Sequence, residues 1–117
     1  HIKIRQFRGE EFMSIFVTVK YPNKEGSRFD MDYYINNHLP LVTEKFGESM
    51  LSLKACKGIA TPNPEVAPPY QVMAIMEIKS LKIFKDVFSQ HGAEINGDFT
   101  NYTDVEPVIQ ISDNLLT

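Results

Sequence analysis

A tyrosine and a histidine four residues apart, Tyr34 and His38, sit in the string Phe29-Asp30-Met31-Asp32-Tyr33-Tyr34-Ile35-Asn36-Asn37-His38-Leu39-Pro40. On a helix, residues with that spacing share a face, so a phenol would lie beside an imidazole. Imidazole is the side chain whose ordinary pKa lets it take or give a proton near neutrality. The pair therefore suits proton transfer on an enolic or phenolic ligand, with His38 as the base and Tyr34 orienting the ligand. The same spacing also suits a packed histidine tied to a backbone carbonyl that Pro40 leaves without an amide partner. A second cluster runs from His91 to Asp104 and is dense in Asn, Asp, Thr and Gly. Loops of this composition line ligand sites, and His91, Asp98 and Asn101 are its candidate binding residues, with Asp98 or Asn101 at the ligand's polar end. These residue types are equally the formers of turns and caps.

Other chemistries find little support. The histidines and Cys56 form no ligand pair at a recognised metal spacing, so no metal site is expected. No Gly-rich phosphate loop or dinucleotide fingerprint is present, and no cofactor is indicated. Cys56, the single cysteine, falls mid-strand, where a buried structural thiol is the default expectation. The chain has 12 basic and 15 acidic residues, a net charge of −3 at pH 7. Lys and Arg are not gathered on one face, which argues against nucleic acid and anionic membrane as partners. No apolar run approaches the roughly 20 residues that span a bilayer. The amino end lacks the residue order of a signal peptide, and with one cysteine a cytoplasmic setting is expected.

The 117 residues suit one domain. His1 to Phe12 shows no period, so residues 1–12 are expected to be a tag remnant or other non-native extension and 13–117 the domain; a native arm forming an edge strand is the alternative. From Ser14 to Tyr21 apolar residues alternate, with Ile15, Val17 and Val19 on one face, as in a strand. Asp30 is a good N-cap for a helix reaching about Gly47, with Ile35, Leu39, Val42 and Phe46 as its buried stripe. Pro40 interrupts that helix and predicts a kink near His38. Leu51 to Ala60 and Tyr70 to Lys79 read as two strands joined by a proline-rich connector. Ser80 caps a second helix, whose inward face carries Leu81, Phe84, Val87, Phe88 and His91 and which Gly92 stops. Val105 to Ile111 supplies the last strand. The order βαββαβ is the ferredoxin-like arrangement, a four-stranded antiparallel sheet with two helices on one face. Apolar residues on both faces of the first and third strands leave one face to be covered, and a second copy of the chain is the expected cover.

The string Val17-Thr18-Val19-Lys20-Tyr21-Pro22, the run from Phe29 to Pro40 and the closing run from Gly97 to Ser112 together resemble the EthD family, named for ethyl tert-butyl ether degradation. The resemblance covers about Met13 to the carboxyl end. It implies an α+β fold in which two ferredoxin-like subunits form a dimeric α+β barrel. It further implies a ligand held between sheet and helices, against Tyr34, His38, Leu41, Phe84 and Phe88. Related barrels include cofactor-free monooxygenases and an isomerase. The expectation is thus a homodimeric, cofactor-independent enzyme of oxidoreductase, monooxygenase or isomerase type, acting on a small hydrophobic, aromatic or enolisable metabolite. The alternative is a non-catalytic accessory protein that binds such a compound.

Overall fold

The computed structural model describes residues 14–116; the expectation for residues 1–12 lies outside them. Strand β1 (Ile15–Pro22) leads to α1 (Met31–Tyr33), a π-turn (Tyr34–His38) and α2 (Leu39–Phe46), which run on as one irregular helix. Strands β2 (Met50–Lys57) and β3 (Tyr70–Ile78) follow, then α3 (Leu81–Gly97) and β4 (Val108–Asp113). The strands form one antiparallel sheet in the order β2-β3-β1-β4. This is the ferredoxin-like topology expected from the element order.

Period-two alternation decides which face the helices cover. Ile15, Val17 and Tyr21 on β1 and Val72, Ala74, Met76 and Ile78 on β3 are buried, whereas the intervening Phe16, Thr18, Met73 and Ile75 are half-buried on the opposite face. Val17 pairs with Met76 and Ile15 with Ile78, so the two strands present one continuous apolar floor. Val42 and Phe46 on α2 and Phe84 and Ile95 on α3 close over that floor as a core. Each such side chain contributes roughly 1.5–3 kcal/mol on burial. Helix entry follows the caps: the Asp30 carboxylate accepts from the Tyr33 amide at 3.1 Å and the Ser80 hydroxyl from the Ile83 amide at 3.1 Å.

The barrel expectation is corrected. The sheet is open, with β2 and β4 as its two edges. β2 and β4 stand at opposite ends of the strand order and do not pair, so the sheet does not close on itself as the expected dimeric barrel requires.

Three local expectations also change. Ile35 is 53% exposed, and the buried stripe is instead Tyr34, His38, Val42 and Phe46. Pro40 has no amide to give to Asn36, and the Leu39 amide bonds to the Tyr34 carbonyl five residues back. That π-turn, where a kink was expected, rotates the register by one residue. Gly92 does not stop the second helix, which continues to Gly97. Gly92 is buried within it, where an added Cβ would stand 2.8 Å from the Phe88 ring. Cys56 is exposed; it sits on the edge strand β2, opposite Met73. Among the described residues no helix is long and apolar enough to cross a membrane.

Candidate functional site

A cavity of about 370 Å³ lies between the sheet and the helices, at the small end of the range for ligand pockets. Its floor is Val17, Val19 and Tyr21 from β1, Leu53 from β2, Ala74 and Met76 from β3, and Ile109 and Ile111 from β4. Its roof is Tyr34, His38, Leu39, Val42 and Phe46 from the first helix, Phe84, Phe88, Ile95 and Asn96 from α3, and Phe99 just after it. No acidic or basic side chain other than His38 is among these residues.

The π-turn places Tyr34 and His38 side by side in the roof, their rings stacked at 5.9 Å and 15°. Both are buried, at 1% and 3% exposure. The Tyr34 hydroxyl is fully buried and has no hydrogen-bond partner among the described residues. Burial pushes the Tyr34 phenol well above its usual pKa, so it stays a neutral O–H. The Tyr21 and Tyr102 hydroxyls lie 2.7 Å apart behind it. Burial raises Tyr21 to about 12, the Tyr102 bond offsetting part of the rise, and raises Tyr102 further. All three phenols are therefore neutral across the physiological range.

His38 Nδ1 lies 2.9 Å from Asp98 Oδ2. Tyr33 donates its hydroxyl to Asp98 Oδ1 at 2.6 Å, and Asn101 donates its side-chain amide to the same oxygen at 2.8 Å. Burial alone would raise the Asp98 carboxyl, but the bonds from Tyr33, Asn101 and His38 outweigh it and hold the group below its usual range. Burial lowers the His38 pKa, and the bond to Asp98 recovers only part of that shift. Although the 2.9 Å contact has ion-pair geometry, the depressed histidine makes it a hydrogen bond from a neutral imidazole to a carboxylate. An ionised carboxylate can only accept, so the proton sits on Nδ1. Nε2 is left with its lone pair and makes no hydrogen bond among the described residues.

The expected site residues thus separate into three groups. Tyr34, His38, Phe84 and Phe88 line the cavity, and Asp98 and Asn101 stand behind His38. Leu41 and His91 are half-buried but outside the lining; Leu41 is a third of a helical turn off the Tyr34–His38–Val42 face. Tyr33, Tyr102, Tyr21 and Phe99 were not singled out from the sequence. For Tyr33 the available signal was its distance of five residues from His38 in a helix that Pro40 interrupts. Among the described residues no group of three or more His, Cys, Asp and Glu side chains is placed to hold a metal ion.

A scan against protein-family models finds no match, and no curated protein matches. Among solved structures, an EthD-like protein from Ralstonia eutropha JMP134 is 39% identical, with 86% of this chain and 90% of that one covered at a TM-score of 0.81. An EthD family protein from Bacillus halodurans C-125 is 16% identical, with 88% and 99% covered at 0.64. A cofactor-independent oxygenase from Streptomyces nogalater is 9% identical, with 85% and 91% covered at 0.52. The last two likenesses are of fold alone.

Proposed function

The chain belongs to the EthD-like family, and from that premise we propose that it is a cofactor-independent enzyme that moves a proton on a small, neutral, hydrophobic metabolite with an enolisable or phenolic head. The supporting observation is the pairing, on one apolar cavity wall, of a hydrogen-bond donor with no partner and a basic nitrogen with a free lone pair: the Tyr34 hydroxyl and His38 Nε2. Nε2 takes a proton from a carbon next to a carbonyl or from a phenolic hydroxyl. The Tyr34 hydroxyl donates to the oxygen on which negative charge gathers. Asp98 stabilises the imidazolium that forms. Walls without a cation give a carboxylate or phosphate no counter-charge, so the ligand is neutral. Return of the proton to another carbon is an isomerisation; reaction of the enolate with dioxygen is an oxygenation. Proton abstraction is common to both.

A binding-only accessory role is the second reading, and one observation favours it: burial makes His38 a weaker base. The two separate experimentally. Small phenols and enolisable ketones are screened for binding, and hits are then assayed for turnover with wild type and His38→Asn. The enzyme reading expects turnover to fall about 10²–10⁴-fold in the variant. Bound hits with no turnover in the wild type would leave the accessory role.

We also propose that two copies associate. Phe16, Met73 and Ile75 are half-buried on the face without helices, and the edge strand β4 leaves Val108 exposed at 47% and, at the cavity's side of the sheet, Ile109 and Ile111 at 46% and 42%. Light scattering at micromolar concentration is expected to give twice the chain mass; the mass of a single chain would refute association.

A further inference from the structure

Three groups grip one carboxylate. Asp98 Oδ1 receives Tyr33 at 2.6 Å and Asn101 at 2.8 Å, while Oδ2 faces His38 Nδ1 at 2.9 Å. Asn101 also reaches the Tyr33 hydroxyl at 3.3 Å, which closes the group into a ring of contacts. Only Oδ2 is left for the imidazole, and its direction is set by what Oδ1 is doing. We infer that Tyr33 and Asn101 are positioning residues that hold Asp98 so that His38 keeps its proton on Nδ1 and turns the lone pair of Nε2 to the cavity. The inference rests on the proton-transfer reading above but concerns residues outside the cavity wall.

The backbone explains why Tyr33 can take part. Residues five apart on an α-helix point about 140° away from each other. Between Tyr33 and His38 the chain makes a π-turn, bonded Leu39 N–H to Tyr34 C=O, and five residues come closer to one full turn. Both side chains then reach the same carboxylate, while Tyr34, one residue on, faces the cavity. Tyr33 is further fixed by stacking on Tyr102 at 6.2 Å and 19°. Asn101 arrives from the 3₁₀ turn Phe99–Asn101, which continues directly from Asp98 at the end of α3. The bond to Asp98 leaves a mark on its donor as well, since it holds the Tyr33 phenol above its usual pKa.

The preference being enforced is not one imidazole has by itself. Without a partner on Nδ1, neither nitrogen is compelled to carry the proton, and a proton on Nε2 would make His38 a donor instead of a base. The titratable groups facing the ring are Asp98 from the end of α3, Tyr102 from the turn after it and Tyr34 on its own helix, with Tyr21 of β1 behind the two tyrosines. Asp98 is the one that is ionised throughout the physiological range, so it alone selects the tautomer.

The test needs no ligand. Ring ¹⁵N shifts of His38 are followed from pH 5 to 8 in the full chain, in wild type, Tyr33→Phe and Asn101→Ala, with Asp98→Asn as the reference for a lost carboxylate. Wild type is expected to show the Nδ1–H tautomer alone. Tyr33→Phe and Asn101→Ala are expected to move the shifts toward a mixture of tautomers and to displace the titration midpoint of His38 by on the order of half a pH unit. Asn101 is exposed, so its variant stays folded even if Tyr33→Phe does not. Shifts and midpoint that match wild type in both variants would overturn the inference, as would an Nε2–H tautomer in the wild type. Neither result depends on turnover: unchanged shifts in the variants refute the clamp alone, whereas an Nε2–H tautomer in the wild type would also remove the base of the proton-transfer reading.

Discussion

Replacing Tyr34 by Phe should make the protein more stable and less functional at once. The Tyr34 hydroxyl is fully buried without a hydrogen-bond partner, and a buried hydroxyl in that condition costs about 1–3 kcal/mol by protein mutational data. Phe keeps the ring, and with it the stacking on His38 at 5.9 Å and the edge contacts to Tyr21 at 5.8 Å and Phe29 at 5.1 Å. Only the oxygen is lost, and with it the cost of burying it unpaired. Even the low end, about 1 kcal/mol, corresponds to a rise in Tm of roughly 4–8 °C for a small domain. The same oxygen is the donor proposed to meet the ligand's carbonyl. Its loss should lower turnover about 10²-fold or more, the worth of one donor to a developing oxyanion. Differential scanning calorimetry of the free protein, together with turnover on a ligand found by screening, reads both effects. A Tm at or below wild type would show that the hydroxyl is satisfied in solution and has nothing to gain from a ligand. A higher Tm with unchanged turnover would remove Tyr34 from the mechanism while leaving the energetics intact.

Acid should destabilise the fold through His38. An unfolded chain protonates this histidine near pH 6.5, whereas the folded protein binds that proton only at lower pH, because burial depresses the group. The unfolded state therefore holds more protons on the acid side, and stability falls as pH drops below about 6.5. Urea midpoints at pH 7.5 and 5.5 should differ more in wild type than in His38→Asn; equal differences would contradict the sign. A further loss should begin near the unfolded carboxyl pKa of about 3.9, where Asp98 loses the advantage of its three donors. Gly92→Ala sets a helix gain of up to about 1 kcal/mol against the roughly 1–3 kcal/mol cost of overpacking. Its Cβ would stand 2.8 and 2.9 Å from the Phe88 ring. A lower Tm and weaker ligand binding are expected, because Phe88 is pushed toward the cavity it lines; a higher Tm would mean that Phe88 yields freely.

Short-range signals in the sequence carry the elements and half of the site. Alternation in Ile15, Val17 and Val19, the Asp30 and Ser80 caps and the proline-rich connector are all local, and they suffice for the βαββαβ order and for placing Tyr34 beside His38 on one helix face. The EthD likeness was also legible in the strings from Val17 to Pro40 and from Gly97 to Ser112. Tertiary structure decided the rest. Asp98 meets His38 across 60 residues, and that contact exists only because α3 runs past Gly92 to Gly97 before the chain turns. Gly92 looked like a stop, since glycine commonly ends helices, but packing against Phe88 gives it an interior role. Ile35 looked buried because a 3.6-residue period was extended through Pro40. The missing amide instead produced a π-turn, which moved Tyr34 inward, Ile35 outward and Tyr33 onto Asp98. Residue types and spacing determine which groups are able to meet; where the helices dock on the sheet, and how the backbone hydrogen bonds shift to allow it, determines which of them do.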